Sequence, residues 1–197
     1  GIDTTPDGDV VGSFRHLNNL VIADRTTGAI KWRWGTWELG HQHNPTVLEN
    51  GNILVLDNGY HRLPPRELRT TVSAEGYSRV LEVNPQTDDI EWSYEAEPPT
   101  GFWSHICSSA QRLPNGNTLV CESGSGRLFE ITQDGKIVWQ FASPFYFDMG
   151  RYGLTNLVYK AKRYGTDAPA LAGKDLSPQK YDWVLHRTTD RIGEPVD

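Results

Sequence analysis

A hairpin module that begins with histidine occurs twice in this chain, at residues 41–59 and 105–124. Each copy contains two apolar strands joined by an Asn-Gly pair, which starts at Asn50 in the first copy and at Asn115 in the second. An Asn-Gly pair between two strands favours a type I′ turn, because both central residues of that turn need positive φ. The two copies therefore predict β-hairpins, and their repetition points to a fold built from repeated β units.

A third, weaker copy of the module occupies residues 6–14, and a second type of hairpin follows all three copies. This second hairpin has a polar turn and, about four residues later, a tryptophan at Trp32, Trp92 or Trp139. Two joined hairpins make a four-stranded antiparallel unit of roughly 45 to 65 residues, which is the size of one β-propeller blade. The sequence thus predicts an all-β chain of four-stranded propeller blades.

The repeats divide the chain into three predicted blades, at residues 1–35, 36–96 and 97–142. A predicted surface loop at about residues 61–77 lengthens the middle blade. Propellers close with about four to eight blades, so three blades predict half of a six-bladed propeller. We expect the ring to be completed by further sequence before Gly1 or by a second copy of the chain.

Residues 143–197 depart from the blade pattern. Apolar residues recur there at helical spacing, which predicts one short C-terminal amphipathic helix through Leu154, Leu157, Val158, Ala161 and Tyr164. Their basic neighbours are typical of a solvated helix face. The polar tail at residues 179–197, which contains His186, fits no predicted element.

Composition and charge exclude several classes of protein. The formal net charge of −6 at pH 7, without a basic stripe among aromatic residues, argues against nucleic-acid binding. No apolar run approaches the roughly 18 to 20 residues of a transmembrane helix. Cys107 and Cys121 flank opposite strands of one hairpin without being directly opposed, so we expect two thiols rather than a disulfide.

Three histidines lie just before or at the start of the first strand of their blades, namely His41, His43 and His105. When the two Asn-Gly turns are aligned, His105 falls one residue from the position of His41. We expect the three imidazoles at one mouth of the propeller channel, where they could serve a metal ion, an acid–base pair or a covalent nucleophile. His16 and His61, each beside an arginine, follow the second strands of two blades and are further candidates.

These segments resemble a known family. HQHNPTVLENGNILVLDNG, at residues 41–59, and SHICSSAQRLPNGNTLVCESGSGRLFEI, at residues 104–131, are similar to the arylsulfotransferase-type propeller proteins, the bacterial aryl sulfotransferase family in its broad sense. Residues 156–178 also resemble the end of many such sequences. The resemblance implies a six-bladed, periplasmic or extracellular propeller that moves a sulfuryl group between phenols without a nucleotide donor. It further implies a histidine that becomes sulfated in a ping-pong reaction.

Carried over by position, the resemblance makes His105 the candidate nucleophile, with His41 and His43 as donors to the sulfuryl oxygens or as the acid. Asn44 stands one residue from the place of the asparagine in the family's histidine motif. The family's arginine falls near the end of the middle blade's second strand, where this chain has none, and Arg62 is the nearest substitute. The predicted contacts to a small aromatic or sulfated substrate are therefore Asn44, His61 and Arg62.

Two other classes remain open. A noncatalytic binding or scaffold propeller is one, because residues 23–34 resemble the Trp-docking repeat of pyrroloquinoline-quinone propellers; the other two copies lack its Thr-Gly pair, which disfavours a quinone enzyme. A metal-dependent hydrolase or lyase is the other, with a divalent cation bound by His41, His43 and His105, and with Asp57 or Glu122 nearby. A His-x-His pair on a strand projects both rings to one face, as metal ligands require.

Overall fold

The computed structural model describes residues 1–62, 76–177 and 179. Most of the predicted loop at residues 61–77 lies outside these ranges, and so do His186 and nearly all of the 179–197 tail. The chain divides into two compact units, Gly1–Arg163 and Tyr164–Asp197. The described part of the second unit contains one short 3₁₀ helix, Pro169–Leu171.

Three four-stranded antiparallel sheets, each with its strands in chain order, form the first unit. The first blade is β1 Ile2–Thr4, β2 Val10–Phe14, β3 Asn19–Ala23 and β4 Ile30–Trp34. The second is β5 His43–Val47, β6 Ile53–Asp57, β7 Arg79–Val83 and β8 Ile90–Tyr94. The third is β9 Ser109–Arg112, β10 Thr118–Glu122, β11 Arg127–Ile131 and β12 Ile137–Ala142. The predicted fold class, an all-β array with three four-stranded propeller blades, is confirmed.

Short elements complete the described part of the first unit. A two-stranded ribbon, β13 Phe147–Asp148 and β14 Leu154–Thr155, follows the third blade. Single 3₁₀ turns lie at Arg15–Leu17, Pro99–Gly101, Ser123–Ser125 and Gly150–Tyr152. Among the described residues, no helix is long and apolar enough to cross a membrane.

The His-led hairpin of the second blade turns in a different backbone conformation from the predicted one. Gly51 N–H donates to the Leu48 carbonyl at 2.9 Å, and Leu48 N–H donates to the Asn52 carbonyl at 2.8 Å. Gly51 has a φ of 85°, whereas Asn50 is not among the described residues with positive φ. This is a three-residue loop, a type I turn followed by a left-handed glycine. The hairpin is confirmed and the type I′ turn is wrong, because Glu49 belongs to the loop as well.

Apolar side chains on the inner three strands of each blade pack one blade against the next. Between the first and second blades the core includes Leu20 and Ile53, and between the second and third it includes Leu54 and Phe129. All four side chains are at most 1% exposed. Because successive side chains of a strand point to opposite faces, neighbouring residues of β6 serve two different cores. Strand β6 is therefore buried along its whole length.

Tryptophans at the third position of the outer strands tie each blade to the next. Trp32 Nε1–H donates to Asp88 Oδ1 at 2.7 Å, and Trp92 Nε1–H donates to the Gln133 carbonyl at 2.8 Å. Trp139 holds the same position in the third blade, stacks on Phe141 and is 40% exposed. The first two tryptophans are therefore contacts between blades, while no further blade of the described residues packs on the face that carries Trp139.

Residues 156–163, called the strap below, correct the predicted amphipathic helix. Ala161 N–H donates to Ser109 Oγ at 3.3 Å, and Arg163 N–H donates to Gln111 Oε1 at 2.8 Å. Ser109 and Gln111 alternate along β9 with Ala110, which faces the second blade, so the strap lies on the opposite face of the third blade. The helix prediction is wrong because the strap's backbone groups bind blade side chains instead of one another.

The first strands of the blades lie side by side at the centre of the array. Strand β5 contacts both β1 and β9. The residues that precede these strands gather at one end, and the Asn-Gly turns that follow β5 and β9 lie at the other. His43, the first residue of β5, belongs to the former end.

Candidate active site

A buried carboxylate anchors the loops that carry the histidines of the second blade. Asp57 ends β6 and is fully buried. Its Oδ1 accepts the N–H groups of Gly40 at 2.8 Å and Gly59 at 3.2 Å. Its Oδ2 accepts from Arg79 Nη2 at 2.9 Å. Because Gly40 immediately precedes His41, and Gly59 comes two residues before His61, one carboxylate positions both histidine loops.

An aromatic cluster lies above this anchor. The His41 ring centroid is 5.7 Å from His16, 5.4 Å from Tyr60 and 5.2 Å from His61. Tyr60 stacks on His61 with the ring centroids 3.9 Å apart. On its other side Tyr60 lies 6.1 Å from His105. Tyr60 thus contacts His41, His61 and His105, and His16 joins this aromatic cluster through His41.

His41 is held in an uncommon backbone conformation and is neutral at pH 7. Its φ is 59°, and its N–H donates to Asn18 Oδ1 at 2.9 Å. Burial, followed by the charge of Arg15 and then by the neighbouring histidines, lowers the pKa of His41 to about 4. Its Nδ1 is buried and has no hydrogen-bond partner in the described part of the chain. A strained backbone and an unpartnered ring nitrogen are both common at functional sites.

His43 is oriented by the side chain of Asn58. The two are joined by a hydrogen bond of 2.7 Å between His43 Nδ1 and Asn58 Oδ1. Asn58 is fully buried, and its amide nitrogen donates to the carbonyls of Ser104 at 2.7 Å and Cys107 at 3.1 Å. These two bonds leave Asn58 Oδ1 as an acceptor, so the proton of a neutral His43 lies on Nδ1 and its Nε2 carries the lone pair. Burial lowers the pKa of His43, and the bond to Asn58 offsets part of that effect.

A small polar cavity of about 110 Å³ adjoins His43. Its lining also includes Asn44, Cys107, Ser108, Tyr159 and Lys160. Asn44 lies in a β-bulge between His43 and Thr46, with a φ of 53°, and its amide donates to the Ala110 carbonyl at 3.2 Å. The bulge therefore ties β5 to β9 beside the cavity. A larger cleft of about 660 Å³, lined by residues that include Arg112 and Lys162, lies near the Asn-Gly turns at the other end.

His105 lies on the rim of the aromatic cluster. Its side chain is exposed, and its described ring neighbours are Tyr60 and Trp103, the latter at 6.5 Å. Trp103 N–H donates to Glu122 Oε1 at 3.1 Å, which holds this loop against the third blade. His105 therefore shares Tyr60 with His41, while His43 faces the cavity.

The arginine beside the histidines is Arg15, a residue that the motif comparison did not select. Arg15 Nη1 donates to His16 Nε2 at 2.9 Å. Its positive charge contributes to the lowered pKa values of His41 and His43. Arg62, the residue selected from the sequence, instead lies 3.4 Å from Asp57 Oδ2 and donates to the Tyr77 carbonyl at 2.5 Å. The sequence signal for Arg15 was its place beside His16, after the second strand of the first blade.

The histidines are not arranged as a metal site in the described ranges. No group of three or more His, Cys, Asp or Glu side chains there could hold a metal ion. The two carboxylates named as possible neighbours have other partners: Asp57 pairs with Arg79 at 2.9 Å, and Glu122 pairs with Arg127 at 3.3 Å. Both cysteines are free thiols, with Cys121 buried.

Comparison with known proteins gives one family and a group of similar folds. The sequence model described as Arylsulfotransferase (ASST) matches residues 1–144, which cover all three blades. No curated protein matches the chain.

Two solved structures illustrate the similarity of fold. A protein of unknown function from Bacteroides caccae is 18% identical with a TM-score of 0.51, and the alignment covers 72% of this chain and 44% of that one. A streptogramin B lyase structure is 18% identical with a TM-score of 0.52, with 74% of this chain and 40% of that one covered. Likeness at this identity shows the fold alone. The chain spans about two fifths of the length of these two proteins.

Proposed function

Because the chain belongs to the arylsulfotransferase (ASST) family, we propose that it moves a sulfuryl group between phenols through a histidine intermediate. The donor is an aryl sulfate and the acceptor is a second phenol. The site is the mouth of the array at which His43, the aromatic cluster and Arg15 meet.

The observation that carries this proposal is the state of His43. Its Nδ1 is fixed by Asn58, and burial favours the neutral ring, so the lone pair of Nε2 is available beside a polar cavity. A neutral, oriented imidazole is a nucleophile suited to group transfer. The family resemblance assigned this role to His105. We favour His43, because His105 is exposed. The described ring contacts of His105 are with Tyr60 and Trp103, whereas the His43 ring is oriented by a hydrogen-bond acceptor.

The reaction has two balanced halves. In the first, a ring nitrogen attacks the sulfur of the aryl sulfate; the S–N bond forms, the S–O bond to the aryl group breaks, and the phenolate leaves with the electron pair. In the second, the acceptor phenol gives up its proton and its oxygen attacks the same sulfur. The S–N bond then breaks and the imidazole regains its lone pair. Each half transfers one sulfuryl group, so no nucleotide is consumed.

The surrounding side chains stabilise charge, accept the proton and bind the aryl ring. Arg15 supplies positive charge to the sulfuryl oxygens, where charge stabilisation contributes most to the rate. Neutral His41, with its unpartnered Nδ1, accepts the proton of the acceptor phenol. Tyr60 and Trp103 offer aromatic faces to the aryl ring, with His105 at their edge. Asn44 and His61 complete the binding surface.

Arg62 has an indirect part in this scheme. Its guanidinium lies over the Tyr77 ring at 4.3 Å and pairs with Asp57, so its side chain is 12% exposed. We assign it to support of the His61 loop rather than to direct contact with sulfate. We also propose a periplasmic or extracellular location, as the family resemblance implies.

The test uses the full chain with p-nitrophenyl sulfate and a phenol acceptor. We expect release of p-nitrophenol, and a mass gain of one sulfuryl group on the intact protein when the acceptor is left out. His43→Ala should lose both signals, while His105→Ala should keep the adduct and raise the KM for the aryl sulfate. If His105→Ala loses the adduct and His43→Ala keeps it, the nucleophile is His105.

The same experiment distinguishes the other classes of function. A noncatalytic scaffold propeller would give neither adduct nor turnover, and that result would overturn the proposal. A hydrolase or lyase that uses a divalent cation would bind the metal near stoichiometrically, lose it in His43→Ala and form no adduct. Metal analysis of the purified chain is therefore run beside the mass measurement.

A further inference from the structure

The strap delivers two side chains to the site from outside the blades. Its backbone is fixed on both sides of Lys160: Ser123 Oγ donates to the Tyr159 carbonyl at 3.2 Å, and Ala161 N–H donates to Ser109 Oγ at 3.3 Å. One residue earlier, Cys121 Sγ donates to the Val158 carbonyl at 3.2 Å. The side chains of Tyr159 and Lys160 are exposed, and both residues line the cavity that holds His43. The position of Lys160 is thus set by the third blade.

The cavity has the size and the charge of an anion site. A volume of about 110 Å³ holds about four water molecules at their liquid volume of roughly 30 Å³ each, which is room for one tetrahedral oxyanion. Its described lining contains a lysine, a histidine, an amide, two hydroxyl groups, a thiol and the residues Gly1 and Ile2, and no carboxylate. The charge of Arg15 also reaches this cavity, since it acts on His43 and on the Cys107 thiol. The local charge is positive although the chain carries a net charge of −6.

We propose that Lys160 binds the sulfuryl oxygens of the substrate in the His43 cavity. The inference rests on the proposed function, because the sulfuryl group is placed beside His43. Lys160 acts there as a point charge on a flexible stem that meets the anion as it enters. Lys160 thus binds the anion from the strap, while Arg15, which does not line the cavity, adds positive charge from the first blade.

The chain offers a matched control in Lys162. Lys160 and Lys162 lie two residues apart on the same strap, but Lys162 lines the large cleft near the Asn-Gly turns. Lys160→Met and Lys162→Met remove the same charge and leave similar stems. Any change in net charge or in the strap's sequence composition is therefore shared by the two variants.

Binding of inorganic sulfate by calorimetry is the first measurement, because it does not depend on turnover. Lys160→Met should weaken sulfate binding about tenfold, the effect expected for one charge-assisted contact. Lys160→Arg should restore most of the affinity, and Lys162→Met should bind like the parent. Equal affinity in the parent and Lys160→Met, or no sulfate binding in the parent, would overturn the inference.

The kinetic measurement separates this inference from the proposed function. With p-nitrophenyl sulfate, Lys160→Met should raise KM about tenfold with a smaller change in kcat, since one binding contact is lost. Sulfate binding that depends on Lys160 in a chain without turnover would uphold the anion site and overturn sulfuryl transfer. Turnover with an unchanged KM in Lys160→Met would uphold the transfer reaction and reject the role of Lys160.

Discussion

Trp92 and Trp139 form a natural pair for measuring how much one blade-to-blade contact contributes to stability. Each is the third residue of an outer strand, and each has an arginine side chain over its ring at 4.6 Å, Arg112 for Trp92 and Arg163 for Trp139. They differ in their contacts with a neighbouring blade. The Trp92 indole donates to the Gln133 carbonyl of the next blade at 2.8 Å, whereas Trp139 is 40% exposed at the end of the array.

The substitutions Trp92→Phe and Trp139→Phe remove the indole N–H and keep an aromatic ring under the arginine. At Trp92 the change deletes a hydrogen bond between blades, which is worth about 1 kcal/mol net, and trims packing against the core between the second and third blades. At Trp139 the lost surface is partly solvated, so the expected cost is about 0.5 kcal/mol or less. The predicted difference between the two variants is therefore about 1 kcal/mol.

Urea denaturation followed by circular dichroism measures that difference from the midpoint and the slope of each transition. Trp32→Phe, which loses the bond to Asp88, should behave like Trp92→Phe. If Trp92→Phe and Trp139→Phe agree to within about 0.3 kcal/mol, the additivity error of such comparisons, the indole bond between blades does not stabilise the array. A Trp139→Phe cost larger than that of Trp92→Phe would refute the reasoning outright.

Three further predictions concern the site and its supports. Asp57→Ala leaves the buried Arg79 guanidinium without its main partner and should lower the unfolding free energy by about 3 to 5 kcal/mol. Lys31→Met, at the solvent-exposed pair with Asp9, should have a much smaller effect, and urea denaturation compares the two variants. The lowered pKa of His41 means that the unfolded chain binds the extra proton more readily, so stability should fall as pH drops from about 6.5 towards 4. His41→Gln should flatten that part of the stability profile, and an unchanged profile would argue against a buried neutral His41. Burial raises the pKa of Cys121 to about 11, so a thiol reagent at pH 8 should label Cys121 only after unfolding; rapid labelling of Cys121 in the native chain would contradict its burial.

The blade architecture could be predicted because its signals are local. An Asn-Gly pair between apolar strands and a tryptophan at a fixed offset each depend on residues within one hairpin. Trp32, Trp92 and Trp139 have equivalent positions in the sequence repeats, and each is the third residue of the outer strand of its blade. The turn type was predicted wrongly, because it depends on where strand pairing ends. In the second blade, pairing ends at Leu48, so the loop begins at Glu49, one residue before the Asn-Gly pair.

The strap shows why the predicted helix did not form. Apolar spacing at residues 154–164 fits a helix face, yet a helix is stabilised mainly by tertiary packing of that face. In this chain the polar side chains of Ser109 and Gln111, which are more than 40 residues away, bind the backbone of the segment. Nothing within the segment itself indicates those partners, so its own pattern could not predict the non-helical conformation.

The same distinction applies to the site. His41, His43 and His105 stood out because of their positions at strand starts, which a repeat alignment detects. Asn58 escaped detection, because its role depends on contacts across the fold: it reaches two carbonyls of the third blade. A residue that orients another side chain does so through such long-range hydrogen bonds. Its residue type alone does not distinguish it from other loop residues.

In the proposed reaction, the electrostatics around His41 and His43 let one environment serve both a nucleophile and an anion. Burial and the charge of Arg15 both disfavour protonation of His41 and His43, which keeps the rings neutral and their lone pairs available. The same positive charge attracts a sulfate ester. A carboxylate in place of Arg15 would reverse both effects, since it would favour imidazolium rings and repel the substrate. Under the proposed function, arginine and lysine, contributed by the first blade and by the strap, supply that positive charge.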